Sequence, residues 1–116
     1  MKRACGIGLV ALPLLAAGCY SHEAALQRLR ADNPRDQAAA IAEAARAGDR
    51  SMVPELIGLL DAQDEGVRFM AAAGLHRLTG QDFGSHFARP EERQEVIAKW
   101  RRWWQAQQAG GAAGGG

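Results

Sequence analysis

The side chains that most often carry out chemistry in proteins are few in this sequence and are not arranged for it. The three histidines, His22, His76 and His86, are scattered, and no HExxH, CxxC or histidine pair at helical spacing is present, so we expect no metal site. No Gly-x-Ser-x-Gly turn occurs. The acidic pairs Asp64-Glu65 and Glu91-Glu92 stand at predicted helix starts, where the helix dipole favours negative charge. We therefore predict no catalysis and no cofactor.

Both cysteines lie near the N-terminus, in a segment with the composition of an export signal. Lys2 and Arg3 are followed by an apolar stretch over residues 4–18, which Pro13 interrupts. This stretch is too short to cross a bilayer comfortably, since a membrane-spanning helix takes about 20 residues. A basic start, a short apolar stretch and small residues before a cleavage point are the three parts of a signal peptide. We predict that residues 1–18 are such a signal.

The end of this segment, Leu15-Ala16-Ala17-Gly18-Cys19, resembles the lipobox of bacterial lipoproteins. In that family small residues precede a cysteine whose thiol takes a diacylglyceryl group and which becomes the first residue of the mature chain. Here Ala16 occupies the position where leucine is most common, a less frequent variant. The resemblance implies a lipid on Cys19. An ordinary secretory signal cleaved nearby and an uncleaved anchor are the alternatives.

The residues after Cys19 bear on location. Tyr20 and Ser21 follow it, with no aspartate at the second position, which in this family favours the outer membrane of a Gram-negative cell. The resemblance thus implies a lipid-anchored protein of the cell envelope, on the periplasmic face of the outer membrane if the cell is Gram-negative. Several acyl chains anchor stably where one gives marginal binding. With Cys5 in the signal and Cys19 acylated, no thiol would remain for a disulfide.

Charge and length limit the class of protein. Without Lys2 and Arg3, 12 basic residues face 13 acidic ones, so the mature chain lacks the basic excess that a nucleic-acid-binding surface needs. Residues 19–108 form a body of about 90 residues, enough for one core but not for two domains. Residues 109–116 contain only glycine and alanine. We predict that this tail is disordered.

The apolar spacing of the body predicts helices throughout, because no segment shows sustained two-residue alternation. Ser21, Ser51 and Asp64 are the candidate N-caps, and Pro90 suits the first turn of the last helix. The predicted helices cover residues 21–33, 34–47, 51–61, 64–79 and 90–108. Residues 80–89 are predicted to form a loop.

The chain also repeats itself. A shift of 31 residues aligns apolar or capping positions of the first two helices with those of the next two: Leu26 with Ile57, Leu29 with Leu60, Asn33 with Asp64, Ile41 with Ala72, Ala44 with Leu75 and Ala47 with Leu78. A period of this length is typical of a helical solenoid, in which stacked helix pairs bury one another's apolar faces.

The second unit, residues 52–80, resembles a HEAT repeat. The resemblance depends on a proline and an apolar cluster in its first helix, an Asp-x-x-Val-Arg turn and an Ala-Ala-x-x-Leu segment: Pro54, Leu56, Ile57, Leu59, Leu60, Asp64, Val67, Arg68, Ala71, Ala72 and Leu75. It implies that Asp64 caps the second helix, Val67 fills the joint between the helices and Arg68 reaches an acidic side chain of a neighbouring turn. The first unit departs from this pattern, with Asp36-Gln37 in place of Val-Arg. A tetratricopeptide hairpin is the structural competitor, but its 34-residue period is absent.

The last predicted helix is rich in tryptophan. One of its faces carries Val96, Ile97, Trp100, Trp103 and Trp104, and burying aromatic side chains stabilises a small core strongly. Two repeats are too few to stand alone, so we predict an all-α fold: a short α-solenoid of HEAT-like helical hairpins capped by this helix. The alternative is an exposed tryptophan platform for a sugar polymer or a peptide.

These features predict a lipid-anchored, non-catalytic interaction or scaffold module, with the membrane and an unidentified protein as its partners. If the loop contacts a partner, we expect Phe83, His86 and Phe87, together with Trp103, to make the contact; the alternative is that the loop aromatics pack against the core. A structural or carbohydrate-contacting envelope protein that uses the tryptophan helix is the alternative. An enzyme would require a cleft at the Phe83 to Phe87 loop.

Overall fold

The computed structural model describes residues 19–84 and 89–115, and side chains as far as residue 111. Over these residues the chain is all helical and contains no strand, which confirms the predicted all-α, solenoid-like fold. The helices are α1 (His22–Arg30), α2 (Pro34–Ala47), a 3₁₀ turn (Arg50–Met52), α3 (Val53–Leu59), α4 (Glu65–Thr79) and α5 (Pro90–Gly115).

Three helices begin at side-chain caps. Ser21 Oγ accepts a hydrogen bond from Ala24 N at 3.2 Å, Asn33 Oδ1 accepts from two backbone amides of α2, and Asp64 Oδ2 accepts from Val67 N at 2.9 Å. Each cap satisfies a backbone donor that has no partner inside the helix. Gly48 and Gly80, with φ of +69° and +76°, end α2 and α4 in the left-handed conformation that glycine adopts without strain.

The start of the third helix differs from the sequence prediction. Ser51 was expected to cap it, but Asp49 Oδ1 accepts from Ser51 N at 3.2 Å, and a 3₁₀ turn precedes α3. Asp49 caps the 3₁₀ turn, because its carboxylate lies two residues before Ser51 and reaches the backbone amide of that residue. α3 then begins at Val53 with no side-chain cap and ends at Leu59, two residues before the predicted end.

The last helix is longer than predicted. The glycine and alanine tail was expected to be disordered from residue 109, but α5 continues to Gly115. No proline follows Gln108 to stop the helix, and the three alanines of the tail favour it, whereas the glycines disfavour it. Gly110 and Gly111 have no neighbouring atom within 4 Å of an added Cβ, so this part of α5 projects beyond the packed body.

The helices form two stacked hairpins and a cap. α1 packs on α2, α3 packs on α4, α2 and α4 lie side by side, and α5 packs on α3. The largest side chains that are fully buried come from the centre of this stack: Ile41, Met52, Val53, Leu56, Ile57, Val67 and Leu75. Ile97 and Trp100 of α5 complete the core.

Small residues set the distance between α2 and α4. Ala40, Ala44 and Ala71 are fully buried, and a Cβ added to Gly74 of α4 would lie 2.9 Å from Cγ2 of Ile41. That separation is shorter than a carbon–carbon contact allows. Position 74 requires glycine, because the side chain of Ile41 occupies the space that a Cβ would need.

We expect Gly74→Ala to lower the free energy of unfolding by about 1 kcal/mol, because overpacking of about 1–3 kcal/mol exceeds the gain of about 1 kcal/mol in helix propensity. Gly58→Ala is the matched control: Gly58 is helical, exposed and without neighbours, so this change should raise stability by about 0.5–1 kcal/mol. Urea unfolding of both variants measures the contrast. Equal stabilisation by the two changes would contradict the close approach of α2 and α4.

Candidate functional site

Cys19 stands at the start of the described chain, at one edge of the stack. It is exposed and lines a shallow groove of about 420 Å³ with Tyr20, Glu43, Arg46 and Ala47. The groove lies at the C-terminal end of α2. A group attached to the Cys19 sulfur would thus start directly beside the folded body.

A cluster of polar side chains lies next to Cys19 and centres on Asp49. Tyr20 Oη donates a hydrogen bond to Asp49 Oδ2 at 2.6 Å, and His22 Nδ1 lies 2.7 Å from the same oxygen. Ser51 Oγ donates to the other carboxylate oxygen at 2.5 Å. The Asp49 side chain is only 15% exposed. One carboxylate thus joins the first residues of α1 to the connection between α2 and α3.

The cluster contains a serine, a histidine and an aspartate, but its geometry is not that of a nucleophilic triad. In a triad the hydroxyl and the carboxylate bind opposite nitrogens of the imidazole. Here Ser51 Oγ lies 3.2 Å from His22 Nδ1, the same nitrogen that faces Asp49. The Ser51 hydroxyl also donates to Asp49 rather than to a base. The arrangement therefore holds the chain together and does not activate Ser51.

Electrostatics agree with this structural role. Burial raises the pKa of Asp49, but hydrogen bonds from Ser51, Tyr20 and His22 outweigh it and bring the pKa from 3.8 to about 2. The pKa of Tyr20 is raised above its usual 10, first by burial and then by its hydrogen bond to Asp49. Both shifts favour a neutral phenol that donates to an ionised carboxylate.

Arg50 extends the contacts of the same turn to two more helices. Its Nη1 donates to the carbonyl oxygen of Leu78 near the end of α4, at 3.0 Å. Its Cζ lies 5.6 Å from the ring centroid of Trp104 in α5, within cation–π range. We call Asp49 and Arg50 the Asp49/Arg50 turn. It connects the start of α1, the end of α4 and the C-terminal half of α5.

The residues of the HEAT-like motif meet at the joint between α3 and α4. Asp64 caps α4, and Val67 is fully buried. Arg68 Nη1 donates to the carbonyl oxygens of Ala62 and Gln63, at 2.7 and 2.9 Å. Both contacts are with main-chain oxygens of the preceding turn, and the acidic partner that the resemblance implies for Arg68 stays a prediction.

The tryptophans of α5 form an aromatic cluster with Phe83. Trp100 is 3% exposed and meets Phe83 edge to face, with ring centroids 4.9 Å apart. Trp103 lies 5.8 Å from Trp100 and 6.2 Å from Trp104, and both Trp103 and Trp104 are half-buried. Trp100 therefore caps the core, and the other two lie at its edge.

The predicted contact loop is only partly described. Phe83 packs against Trp100 and Trp103 and is half-buried, so this aromatic belongs to the core and not to an open surface. His86 and Phe87 lie outside the described residues. The structure thus brings Phe83 and Trp103 together, as two of the four residues expected to contact a partner.

Sequence reasoning missed a groove between α2 and α4. It holds about 220 Å³, its walls are mostly apolar, and Arg46 and Arg77 are its exposed polar residues. The other lining residues are Ile41, Ala42, Ala45, Met70, Ala73 and Gly74. Phe69, one helical turn before Ala73, is 50% exposed. Alanines at half-buried helix positions were the available signal, but they also fit close helix packing.

Neither a metal-binding cluster nor a membrane-spanning helix is found among the residues that the structure describes. Residues 19–84 and 89–115 contain no group of three or more histidine, cysteine or acidic side chains that could hold a metal ion. None of the helices in that part of the chain combines the length and the apolar character needed to cross a bilayer.

The stacked hairpins and the joint motif define a helical-repeat protein, and comparison with known families gives the same class. A family model described as HEAT repeats matches residues 23–89, which is more than half of the chain. The chain belongs to the HEAT-repeat family, whose repeats often serve as protein-interaction modules. No curated protein and no solved structure matches the chain significantly.

The Asp49 cluster predicts a stability loss at low pH. The pKa of Asp49 is lower in the folded chain than in the unfolded chain, so its contribution is complete above about pH 4 and is lost as the pH falls toward 2. Asp49→Asn should lower the free energy of unfolding at neutral pH by about 1–3 kcal/mol, as for lost hydrogen bonds to a charged group.

Chemical denaturation at pH 2 to 7 measures both effects, and the difference between the variant and the natural chain should shrink toward pH 2. Asp32→Asn, at an exposed position between α1 and α2, is the control and should change little. A natural chain and an Asp49→Asn chain of equal stability at pH 7 would contradict the role given to this carboxylate.

Proposed function

We propose that this protein is a lipid-anchored interaction module of the cell envelope that binds a segment of another protein between α2 and α4 and carries out no catalysis. The observation that carries the proposal is the groove itself, an apolar channel on the two longest helices of the repeats with arginines at its border. Membership of the HEAT-repeat family supports a protein partner.

The chemistry of the groove indicates the kind of segment it would accept. Ala45 and Gly74, both buried, form part of a floor without bulky side chains. Met70 supplies an adaptable thioether, which suits contact with varied apolar side chains. Arg46 and Arg77 would favour acidic residues beside those apolar ones. A helix or an extended segment with apolar and acidic side chains fits these features.

The proposed lipid anchor is supported by the sequence from Leu15 to Cys19 and by the position of Cys19. The residue is exposed and adjoins the body. Lipidation would place the module on a membrane surface, where its partner would also have to be present. Envelope location follows from the lipobox resemblance and is part of the proposal.

The tryptophan rings of α5 are poorly arranged to stack against a carbohydrate, whereas the α2–α4 groove has the shape and lining that a peptide needs. Trp100 and Trp103 are at 89° to each other and Trp103 and Trp104 at 38°, so the rings do not form one flat surface. Arg50 already lies over the ring of Trp104. These contacts favour the protein-binding proposal over the carbohydrate-contacting alternative.

Lipidation is tested by Cys19→Ala in the full chain. We expect the variant to leave the membrane fraction, because several acyl chains provide the stable attachment. Cys5→Ala is the matched control, since it removes the other thiol and should leave the protein in membranes. Fractionation followed by detergent extraction measures both. A Cys19→Ala chain that remains in the membrane fraction as fully as the natural chain would refute the anchor.

Partner binding is tested by a photo-crosslinking amino acid at Ala73 in the groove, with Gln27 of α1 as the control position. Both residues are exposed, but only Ala73 lines the groove. In the native envelope we expect a discrete crosslinked protein from position 73 and none from position 27, and we expect Arg46→Glu with Arg77→Glu to abolish it. Identical crosslinked proteins from positions 73 and 27 would contradict the proposed site. A crosslink from position 73 that persists in the Arg46→Glu and Arg77→Glu double variant would contradict it as well.

A further inference from the structure

We propose that the edge of the domain that carries Cys19 lies directly on the phospholipid headgroups, so that α5 makes a second, non-covalent contact with the same membrane. We call this edge the anchor edge and define it by Cys19, Tyr20, Arg46, the Asp49/Arg50 turn and residues 101–104 of α5. The inference rests on the proposed lipidation of Cys19. The ligand is an anionic bilayer surface.

The chain has no spacer between Cys19 and the folded body. Tyr20 and His22 are both bound to Asp49, and Ser21 caps α1. A residue spans at most about 3.6 Å, so the lipid would be attached within one residue of a side chain that is fixed in the fold. The part of the anchor edge beside Cys19 therefore stays within a few ångströms of the lipid attachment unless the Asp49 cluster breaks, and the contact of α5 has to fix the orientation of the rest.

The C-terminal half of α5 is held at this same edge. Near its start, Arg93 Nε lies 3.2 Å from Asp61 Oδ1, just after α3. Eleven residues later, the ring of Trp104 meets Arg50, just before α3. α5 thus runs antiparallel to α3 and brings Trp104 to the edge that holds Tyr20 and His22. Residues 105–115 continue the helix beyond this edge and carry no charged side chain, so in the proposed contact α5 lies obliquely to the bilayer and its uncharged end enters the headgroup layer.

The charge of the anchor edge suits anionic headgroups. Glu95 is the last acidic residue of the chain, and Lys99, Arg101 and Arg102 follow it. Arg46, Arg101 and Arg102 are exposed. The acidic groups nearby are fewer than the basic ones: Glu43 is paired with Arg28 at 2.8 Å, and Asp49 and the exposed Glu23 of α1 face Arg46, Arg50, Arg101 and Arg102. The charge that this edge offers to a surface is therefore positive.

The aromatic residues of the edge suit the headgroup region as well. Trp103 and Trp104 are half-buried, so part of each ring remains open beside the exposed arginines. Tryptophan is enriched at membrane interfaces, where an amphipathic ring meets both water and lipid, and basic residues near an anionic surface each strengthen attachment by roughly fivefold. A half-exposed pair of indoles next to arginines is expected at such a boundary.

The test uses the lipidated protein, purified from membranes and reconstituted into vesicles of equal parts phosphatidylcholine and phosphatidylglycerol with bromine atoms high in the acyl chains. Bromine quenches tryptophan fluorescence on contact, so we expect quenching of the natural protein relative to vesicles without bromine. Trp103→Phe with Trp104→Phe leaves Trp100, which is buried in the core, and should lose the quenching.

A charge variant that leaves the core untouched provides an independent arm. Arg101→Gln with Arg102→Gln should reduce the quenching severalfold, since both residues are exposed. Arg35→Gln, exposed in the first turn of α2 at the end away from the anchor edge, is the matched control and should leave it unchanged. Vesicles of phosphatidylcholine alone should also give weaker quenching.

The outcomes separate this inference from the proposed function. If mass spectrometry shows acylated Cys19 and the natural protein is not quenched, the membrane-contacting edge is wrong and the lipid anchor stands. If Cys19 carries no acyl group, the anchor and the edge are both wrong. Quenching that is equal in the arginine variant and the natural protein would overturn the electrostatic contact.

Discussion

The structure depends on one carboxylate. Asp49 accepts hydrogen bonds from Tyr20, His22 and Ser51, and its neighbour Arg50 binds α4 and lies over a tryptophan of α5. Two consecutive residues thus fix the beginning of the domain, the entry to α3 and the C-terminal helix. In a repeat protein, each hairpin is stabilised by the interfaces with its neighbours. A chain of only two repeats has few such interfaces, so the polar contacts of this turn add stability that further repeats would otherwise provide.

The arrangement also relates the two proposed contacts of the molecule. Arg46 lines both the α2–α4 groove and the shallow groove beside Cys19, so a segment bound between the helices would lie next to the anchor. A partner would then be bound close to the headgroups rather than at the end of a flexible tether. The close packing of α2 on α4, which Gly74 permits, places small residues at the floor of that groove.

Local signals predicted most of the fold, and long-range contacts account for what was missed. Asp64 and Ser21 were correctly predicted as caps because an N-cap acts within three residues. The Asp49 cluster joins residues 27 to 29 positions apart, a relation that spacing along one helix cannot reveal, and Ser51 was therefore predicted as the cap in its place. The sequence leaves Phe83 open between a core position and a partner contact, because a loop aromatic carries no local sign of the tryptophan against which it packs.

Nitroxide depth measurement would show whether the domain is held at the membrane in one orientation. With Cys19 acylated, a cysteine introduced at exposed Gln105 or at exposed Arg35 is the only thiol that accepts a spin label. In reconstituted vesicles we expect a label at 105 at headgroup depth and a label at 35 in water. Labels equally accessible to a water-soluble relaxation agent at both positions would show a domain that tumbles on its anchor, and the proposed orientation would be wrong.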